Sequence, residues 1–254
     1  MLTDSRRGHT FLPTSRTDPR RRQSALTKAA TTSLPMEFIH VVPREKLFQE
    51  FTPHGFVAFD GDFSEESFMA ILEREGFFVE RAYAERTPAL KQPIPYCLVI
   101  KEDQVFLLTR SKQGGETRLH NKMSIGVGGH VEPVDLPTSE ELELHPDWNR
   151  RNPIPKAALR EATLEELEIE GDFKLKTVGI INDDTNPVGS VHIGIVMLLI
   201  VDGSVRVRET EQLSGKFVSL DELKQFAHDG ANLETWSSLL VPELDQLVPQ
   251  LMRS

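Results

Sequence analysis

From Met36 onward, short apolar runs alternate with amphipathic and polar stretches. Phe38–Val42 is an apolar run rich in β-branched residues and predicts a strand. Glu65–Glu75 predicts a helix, with Ser64 as its N-cap and Gly76 as its stop. Phe77–Val79 predicts another short strand. Tyr96–Ile100 and Val105–Thr109 flank the polar stretch Lys101-Glu102-Asp103-Gln104, which suggests a hairpin. Met123–Val131 holds three glycines and reads as an irregular strand and loop. Val178–Asn182, Val191–Val201 and Val205–Val207 predict strands, and Leu220–His228 and Glu234–Leu247 predict helices. Pro155–Ile169 is a helix candidate with Pro155 near its first turn. Leu136–Pro155 carries four prolines and no sustained period, and predicts an inserted loop. Strands mixed with helices in this order predict an α/β sandwich built on a mixed sheet.

Composition and charge divide the chain further. Residues 1–35 carry seven basic residues against Asp4 and Asp18, a net +5, with little apolar content. They predict a disordered basic tail. The net charge of the chain is −10, so the remainder carries −15 and has no bulk attraction for nucleic acid. Residues 36–90 predict a small αβ elaboration, where a homodimer surface is expected, and residues 91–254 predict the main domain with its insertion at 136–155. The longest apolar run, Ile193–Val201, is too short to cross a bilayer as a helix. Cys97, the single cysteine, sits in a predicted strand as an inert core thiol. It allows no internal disulfide, and a reducing cytoplasm is the expected compartment.

Candidate chemistry concentrates on the predicted helix at Pro155–Ile169. At about 100° per residue, Ala158, Ile169 and Ala162 form an apolar stripe, and Glu165 and Glu166 flank it rather than opposing it. Carboxylates beside a buried stripe are costly unless they are paired or bind a metal, and a convergent set suits a hard cation such as Mg²⁺. Upstream lies Gly126-Val127-Gly128-Gly129-His130-Val131-Glu132-Pro133, whose glycines let the backbone approach a phosphate closely.

With these segments in view, the chain resembles the Nudix superfamily. The signature of that family is Gly, five residues, Glu, seven residues, then Arg-Glu-U-x-Glu-Glu-x-Gly-U, where U is aliphatic. Gly129 matches the opening glycine, Asp135 is the acid nearest the middle position, Glu165-Glu166 match the paired acids, and Ile169 matches the closing aliphatic. The resemblance implies an α/β/α sandwich and cleavage of a small-molecule phosphoanhydride that depends on Mg²⁺ or Mn²⁺. It implies Glu165 and Glu166 as metal ligands, with Glu161 as the third. Gly128, Gly129 and His130 would line the substrate, and Asp183, Asp184 and Glu132 are the candidate bases.

The pattern departs from the signature in three places. Counted to Glu161, eighteen residues are extra between Gly129 and the arginine position, all placed in Leu136–Pro155. Anchored on Glu165-Glu166, the signature puts Glu161 at the arginine position and Ala162 at the first glutamate, so Arg160-Glu161 stands one residue early. Glu168 replaces the glycine, with Gly171 following. Ala162 therefore leaves open a non-catalytic nucleotide sensor, and the shared fold leaves open an isopentenyl-diphosphate-isomerase-like enzyme. Lys91, Arg110, Arg118 and Lys122 are candidate phosphate contacts. Of the two tryptophans, Trp148 is expected to be the better stacking surface and Trp236 to lie in the core.

Overall fold

The computed structural model describes residues 36–48, 52–61, 63–110, 122–208, 210, 211 and 213–251. The predicted tail, 1–35, and Arg118 lie outside the described residues. In chain order the strands are β1 (Phe38–Pro43), β2 (Gly55–Ala58), β3 (Phe77–Glu80), β4 (Leu90–Lys101), β5 (Gln104–Arg110) and β6 (Met123–Ser124). They continue with β7 (Leu167–Ile169), β8 (Phe173–Asn182), β9 (His192–Val201), β10 (Val205–Val207) and β11 (Leu213–Ser219). The α-helices are α1 (Arg44–Leu47), α2 (Glu65–Glu75), α3 (Arg81–Ala84), α4 (Ser139–Leu144) and α5 (Ile154–Leu159). They are followed by α6 (Pro187–Val191), α7 (Leu220–His228), α8 (Thr235–Leu240) and α9 (Leu244–Leu251).

Helix α2 has the bounds its sequence predicts, and Ser64 Oγ accepts the Ser67 N–H at 3.1 Å. The helix ends at Gly76, where a Cβ would stand 2.2 Å from His40 Nε2 and 2.3 Å from the Leu72 carbonyl oxygen, so a side chain has no room there.

The sheet runs β11-β5-β4-β9-β8-β2. β4 and β9 are parallel from Gln92↔His192 to Ile100↔Ile200, and the other neighbours on this path are antiparallel. This is the mixed sheet expected. Side chains alternate along the two central strands. Cys97, Val99, Ile195, Met197 and Leu199 join a core with α2 and α5, while Leu98, Ile100, Val196 and Leu198 join a second core with α7, α8 and α9. Burial on both faces explains why β9 reads as one continuous apolar run. The three layers are the α/β/α sandwich that the sequence implied.

One stretch of β4 is left open for the site. Away from β9, β4 pairs with β5 at Ile100 and Lys101 and with β1 at Leu90 and Lys91. Between these, Cys97 directs its N–H to the Val127 carbonyl at 2.7 Å. Residues at even spacing share an edge, so Pro93 and Pro95 fall on that same side and offer no donor. The glycine segment lies against this gap. A Cβ on Gly128 would stand 2.0 Å from the Pro95 carbonyl oxygen.

Several expectations are corrected. The helix predicted over Pro155–Ile169 starts at Ile154 and ends at Glu166, and Leu167–Ile169 is instead a strand paired with Val205–Val207. The insertion contains α4, begun by a capping box between Thr138 and Glu141. The long C-terminal helix is broken by a 3₁₀ turn, Val241–Glu243, at Pro242. Residues 36–90 share their core with the rest: Val42, Leu47, Phe68, Met69 and Leu72 pack in the cluster that holds Ile154 and Met197. No helix among the described residues is long and apolar enough to cross a membrane.

Phe68 is 1% exposed. Phe68→Ala is expected to cost about 3–5 kcal/mol and to lower the midpoint of a single cooperative unfolding transition. Two separate transitions, with only one shifted, would show that residues 36–90 fold apart from the sandwich.

Candidate active site on a widened helical turn

Helix α5 does not continue as an α-helix. From Arg160 to Glu166 it widens into a π-helix, whose hydrogen bonds reach one residue further than in an α-turn. A π-turn absorbs one extra residue and keeps the rest of the helix in register. The signature has four positions from its arginine to the first paired acid, and this chain has five, from Arg160 to Glu165. The widened turn takes up that residue. Arg160 and Glu161 therefore occupy the Arg-Glu positions themselves. Ala162, 1% exposed, packs in the core and does not stand where a carboxylate is missing. With Arg160 as the anchor, Gly129 and Arg160 are thirty-one positions apart and the insertion holds seventeen residues, not eighteen.

Arg160 organises the surroundings. Its Nε and Nη2 donate to Asp135 Oδ1 and Oδ2, each at 2.8 Å, and Nη2 also donates to the His130 carbonyl at 2.9 Å. Its Nη1 reaches Glu161 Oε1 and Glu165 Oε1, both at 2.7 Å. Asp135 is fully buried and stands six positions beyond Gly129, with five residues between them, the place of the signature's middle acid. The Asp135 hydrogen bond, with the Glu165 bond and nearby carboxylate charge, holds the Arg160 guanidinium firmly protonated against its burial.

Glu161 is 8% exposed, and burial raises its pKa. Arg160 opposes that rise, and Glu165 and Glu166 add to it, so three carboxylates share one electrostatic neighbourhood. Gly129 lies directly on Glu161, because a Cβ there would stand 2.3 Å from its carboxylate atoms. Behind Glu161, burial first and the Glu161 charge second push the Cys97 thiol up to about 12, consistent with the inert core thiol expected.

Two adjoining clefts open beside these groups. One, about 210 Å³, is lined by Gly126, Gly128, Arg110, Lys122 and Glu166. The other, about 520 Å³, is lined by Gly128, Gly129, His130, Asn186 and His192. Ile94, Lys122, Glu234 and Trp236 border both. Trp236 packs against the core of α7, α8 and α9, as expected, and its exposed side is also a wall of both clefts. Trp148 lies elsewhere, stacked on His145 at 4.1 Å beside α2. Glu234 was not singled out from sequence. Its Oε1 accepts hydrogen bonds from the Tyr96 hydroxyl and from Ser124 Oγ at 2.9 Å. Burial and the Glu234 charge raise the Tyr96 pKa well above the ordinary range, so its hydroxyl keeps its proton. The signal available in the sequence was only an acid at a helix start next to Trp236.

The candidate bases Asp183 and Asp184 have other partners. Asp183 is 1% exposed and accepts from the Thr185 N–H at 3.0 Å, Thr185 Oγ1 at 2.6 Å and Asn186 Nδ2 at 2.7 Å, which closes a turn. Asp184 is held by Arg44 and by Lys91 Nζ at 2.7 Å. Burial raises its pKa, but these two cations outweigh it and hold the carboxyl at about 2, too acidic for a base near neutral pH. Lys91, expected as a phosphate contact, is fully buried and also donates to the Gly189 and His192 carbonyls.

A three-layer α/β sandwich with a glycine segment facing an Arg-Glu…Glu-Glu helical turn defines a Nudix-type site. No family model matches the chain. It is 41% identical over 220 residues to Protein YmaB of Bacillus subtilis (strain 168), across 82% of this chain and 98% of that protein. Its fold is similar to the crystal structure of Tm1382, described as a candidate Nudix hydrolase. The TM-score is 0.65, with 29% identity over 84% of this chain and 100% of the other. The chain belongs to the Nudix hydrolase superfamily.

The two glycines separate packing from chemistry. Gly128→Ala meets backbone, so it is expected to destabilise the fold by about 1–3 kcal/mol. Gly129→Ala meets a side chain that can move, so it is expected to change thermal stability little but to displace Glu161 and weaken divalent-cation binding. Equal effects of both substitutions on both readouts would contradict this geometry.

Proposed function

We propose that this protein is a divalent-cation-dependent hydrolase of a phosphoanhydride, a nucleoside diphosphate linked to a further group. The observation that carries this reading is the widened turn, which sets Glu161 and Glu165 on one guanidinium nitrogen with Glu166 beside them at the cleft. Both carboxylates hydrogen-bond the same Arg160 nitrogen, and the charges of Glu165 and Glu166 act on Glu161, so an ion would draw together groups that already share one neighbourhood. An all-oxygen donor set suits Mg²⁺ or Mn²⁺ rather than a softer metal. When bound, the cation supplies neutralisation of phosphate charge and polarisation of the phosphoryl oxygens.

The rest of the chemistry belongs to the chain's own residues. Glu161, Glu165 and Glu166 would hold the cation. Asp135 and Arg160 are positioning residues that fix Glu161 against Gly129. Gly128 and Gly129 let the diphosphate approach the backbone, and Arg110 and Lys122 offset its charge at the cleft wall. Glu234, facing both clefts, takes the role first given to Asp183 and Asp184 and accepts the proton of the attacking water. The hydrogen bonds from Tyr96 and Ser124 orient its carboxylate. The non-catalytic sensor reading rested on Ala162, and it loses its support once Glu161 is the glutamate of the box.

The test is chromatographic detection of the cleaved products (nucleoside monophosphates, sugar phosphates, pyrophosphate or phosphate) from nucleoside di- and triphosphates, dinucleoside polyphosphates, ADP-ribose and NADH, with Mg²⁺ or Mn²⁺. Turnover is expected on at least one substrate, with Glu161→Gln and Glu166→Gln lowering kcat/KM by at least about a hundredfold. Glu234→Gln is expected to lower kcat by about 10²–10⁴ with little change in KM. Cation-dependent turnover that survives Glu166→Gln would refute the assignment.

A further inference from the structure

The cleft holds a second group of ligating side chains that the hydrolase reading does not use. His130 Nε2 and His192 Nε2 face each other at 3.2 Å. Glu85 Oε1 stands 3.7 Å from the first and 4.0 Å from the second. Gln92 Oε1 lies 2.8 Å from His130 Nε2. The ligand atoms of Glu85, His130 and His192 all lie within 4.8 Å of one another, with Gln92 Oε1 adjoining His130, so four separated segments meet: the end of α3, the start of β4, the glycine segment and the start of β9.

Hydrogen bonding within the group does not satisfy it. His192 Nδ1 lies 2.7 Å from the Val188 carbonyl, so that nitrogen carries the proton and Nε2 presents a lone pair to His130. His130 Nε2 then has a single proton to share between His192 Nε2 and Gln92 Oε1. Gln92 is fully buried, and its amide nitrogen has no hydrogen-bond partner. A ring nitrogen fixed through its Nδ1–H to a carbonyl, with Nε2 turned inward, is the arrangement by which a protein orients a histidine ligand. Two nitrogens bound at about 2.0–2.1 Å to a tetrahedral ion stand about 3.4 Å apart, close to the separation here. Lys91 fixes the same strand start, because its Nζ donates to the His192 carbonyl at 3.0 Å. Glu85 is exposed and pairs only loosely with Arg81 at 3.7 Å, so it is free to close on an ion.

We propose that Glu85, His130 and His192 form a binding site for a borderline transition-metal ion, Zn²⁺ by donor chemistry, separate from the carboxylate set on the widened turn. Two imidazoles and one carboxylate suit Zn²⁺ and disfavour Mg²⁺. His130 and His192 line the 520 Å³ cleft, so the ion faces the same space as Gly128 and Gly129. The proposal does not depend on the hydrolase reading and is read without activity.

The experiment strips the full chain with a chelator, holds it in excess Mg²⁺ to occupy oxygen-only sites, and titrates it with Co²⁺ and then Zn²⁺. One equivalent of Co²⁺ is expected to give the visible absorption of a low-coordinate ion, and one equivalent of Zn²⁺ to remove it. Glu85→Gln, at an exposed position, is expected to weaken binding by at least about tenfold without altering thermal stability. His192→Ala is expected to abolish the band, and Glu161→Gln to leave it unchanged. No band at one equivalent in the wild type would overturn the proposal. So would a band that persists undiminished in Glu85→Gln, or one lost in Glu161→Gln. If His192→Ala does not fold, Glu85→Gln decides.

Discussion

The buried ion pair between Arg160 and Asp135 is the contact on which the site depends. Both carboxylate oxygens of a fully buried aspartate are taken by one guanidinium, and the same guanidinium holds the His130 carbonyl and touches Glu161 and Glu165. Four pieces of chain are tied at one side chain: the glycine segment, the start of the insertion, and both ends of the widened turn. Removing Arg160 strands the fully buried Asp135 charge in the interior, at a cost of about 3–5 kcal/mol, whereas Arg160 without Asp135 would keep Glu161 and Glu165 as partners. Arginine suits the place because its planar fork makes the bidentate contact and still has a nitrogen left for the carboxylates.

The π-turn follows from an arithmetic problem in the sequence. With one residue more than the signature between Arg160 and Glu165, a plain α-helix could keep either Arg160-Glu161 or Glu165-Glu166 in place, but not both. Widening the turn keeps both, and Leu164 is left 69% exposed while Ala162 and Leu167 stay in the core. π-bulges cost helix geometry and occur at functional sites. Here the bulge lies between the two halves of the carboxylate set.

Much of the sandwich was legible because burial on both faces writes continuous apolar runs, and β9 and the hairpin of β4 and β5 were found on that basis. Helix α2 was legible from Ser64 and Gly76. Other parts were hidden for definable reasons. β11 mixes Ser, Gly and Lys with its apolar positions, so no period marked it. β7 was absorbed into the preceding helix because Leu167 and Ile169 also fit a helical stripe. The carboxylate helix was correct in its residues and wrong in its rotation, since 100° per residue does not hold through a π-turn. Asp183 and Asp184 looked like an active-site pair, yet Asp183 closes an Asx turn and Asp184 is bound by two cations distant in sequence, Arg44 at the start of α1 and Lys91 in β4. Such long-range pairing leaves no local pattern. Glu85, His130 and His192 come together only through the packing of the end of α3, the glycine segment and the start of β9.

The central claim is that the widened turn joins Glu161 to Glu165 and Glu166 in one cation-binding set. The most direct measurement is Mn²⁺ affinity, read from the electron paramagnetic resonance of free Mn²⁺, in the wild type, Glu161→Gln and Glu165→Gln/Glu166→Gln. The account predicts that each variant, still folded, binds Mn²⁺ at least about tenfold more weakly than the wild type. Wild-type affinity in Glu161→Gln would mean that Glu161 stands apart from the paired acids, and would contradict the account.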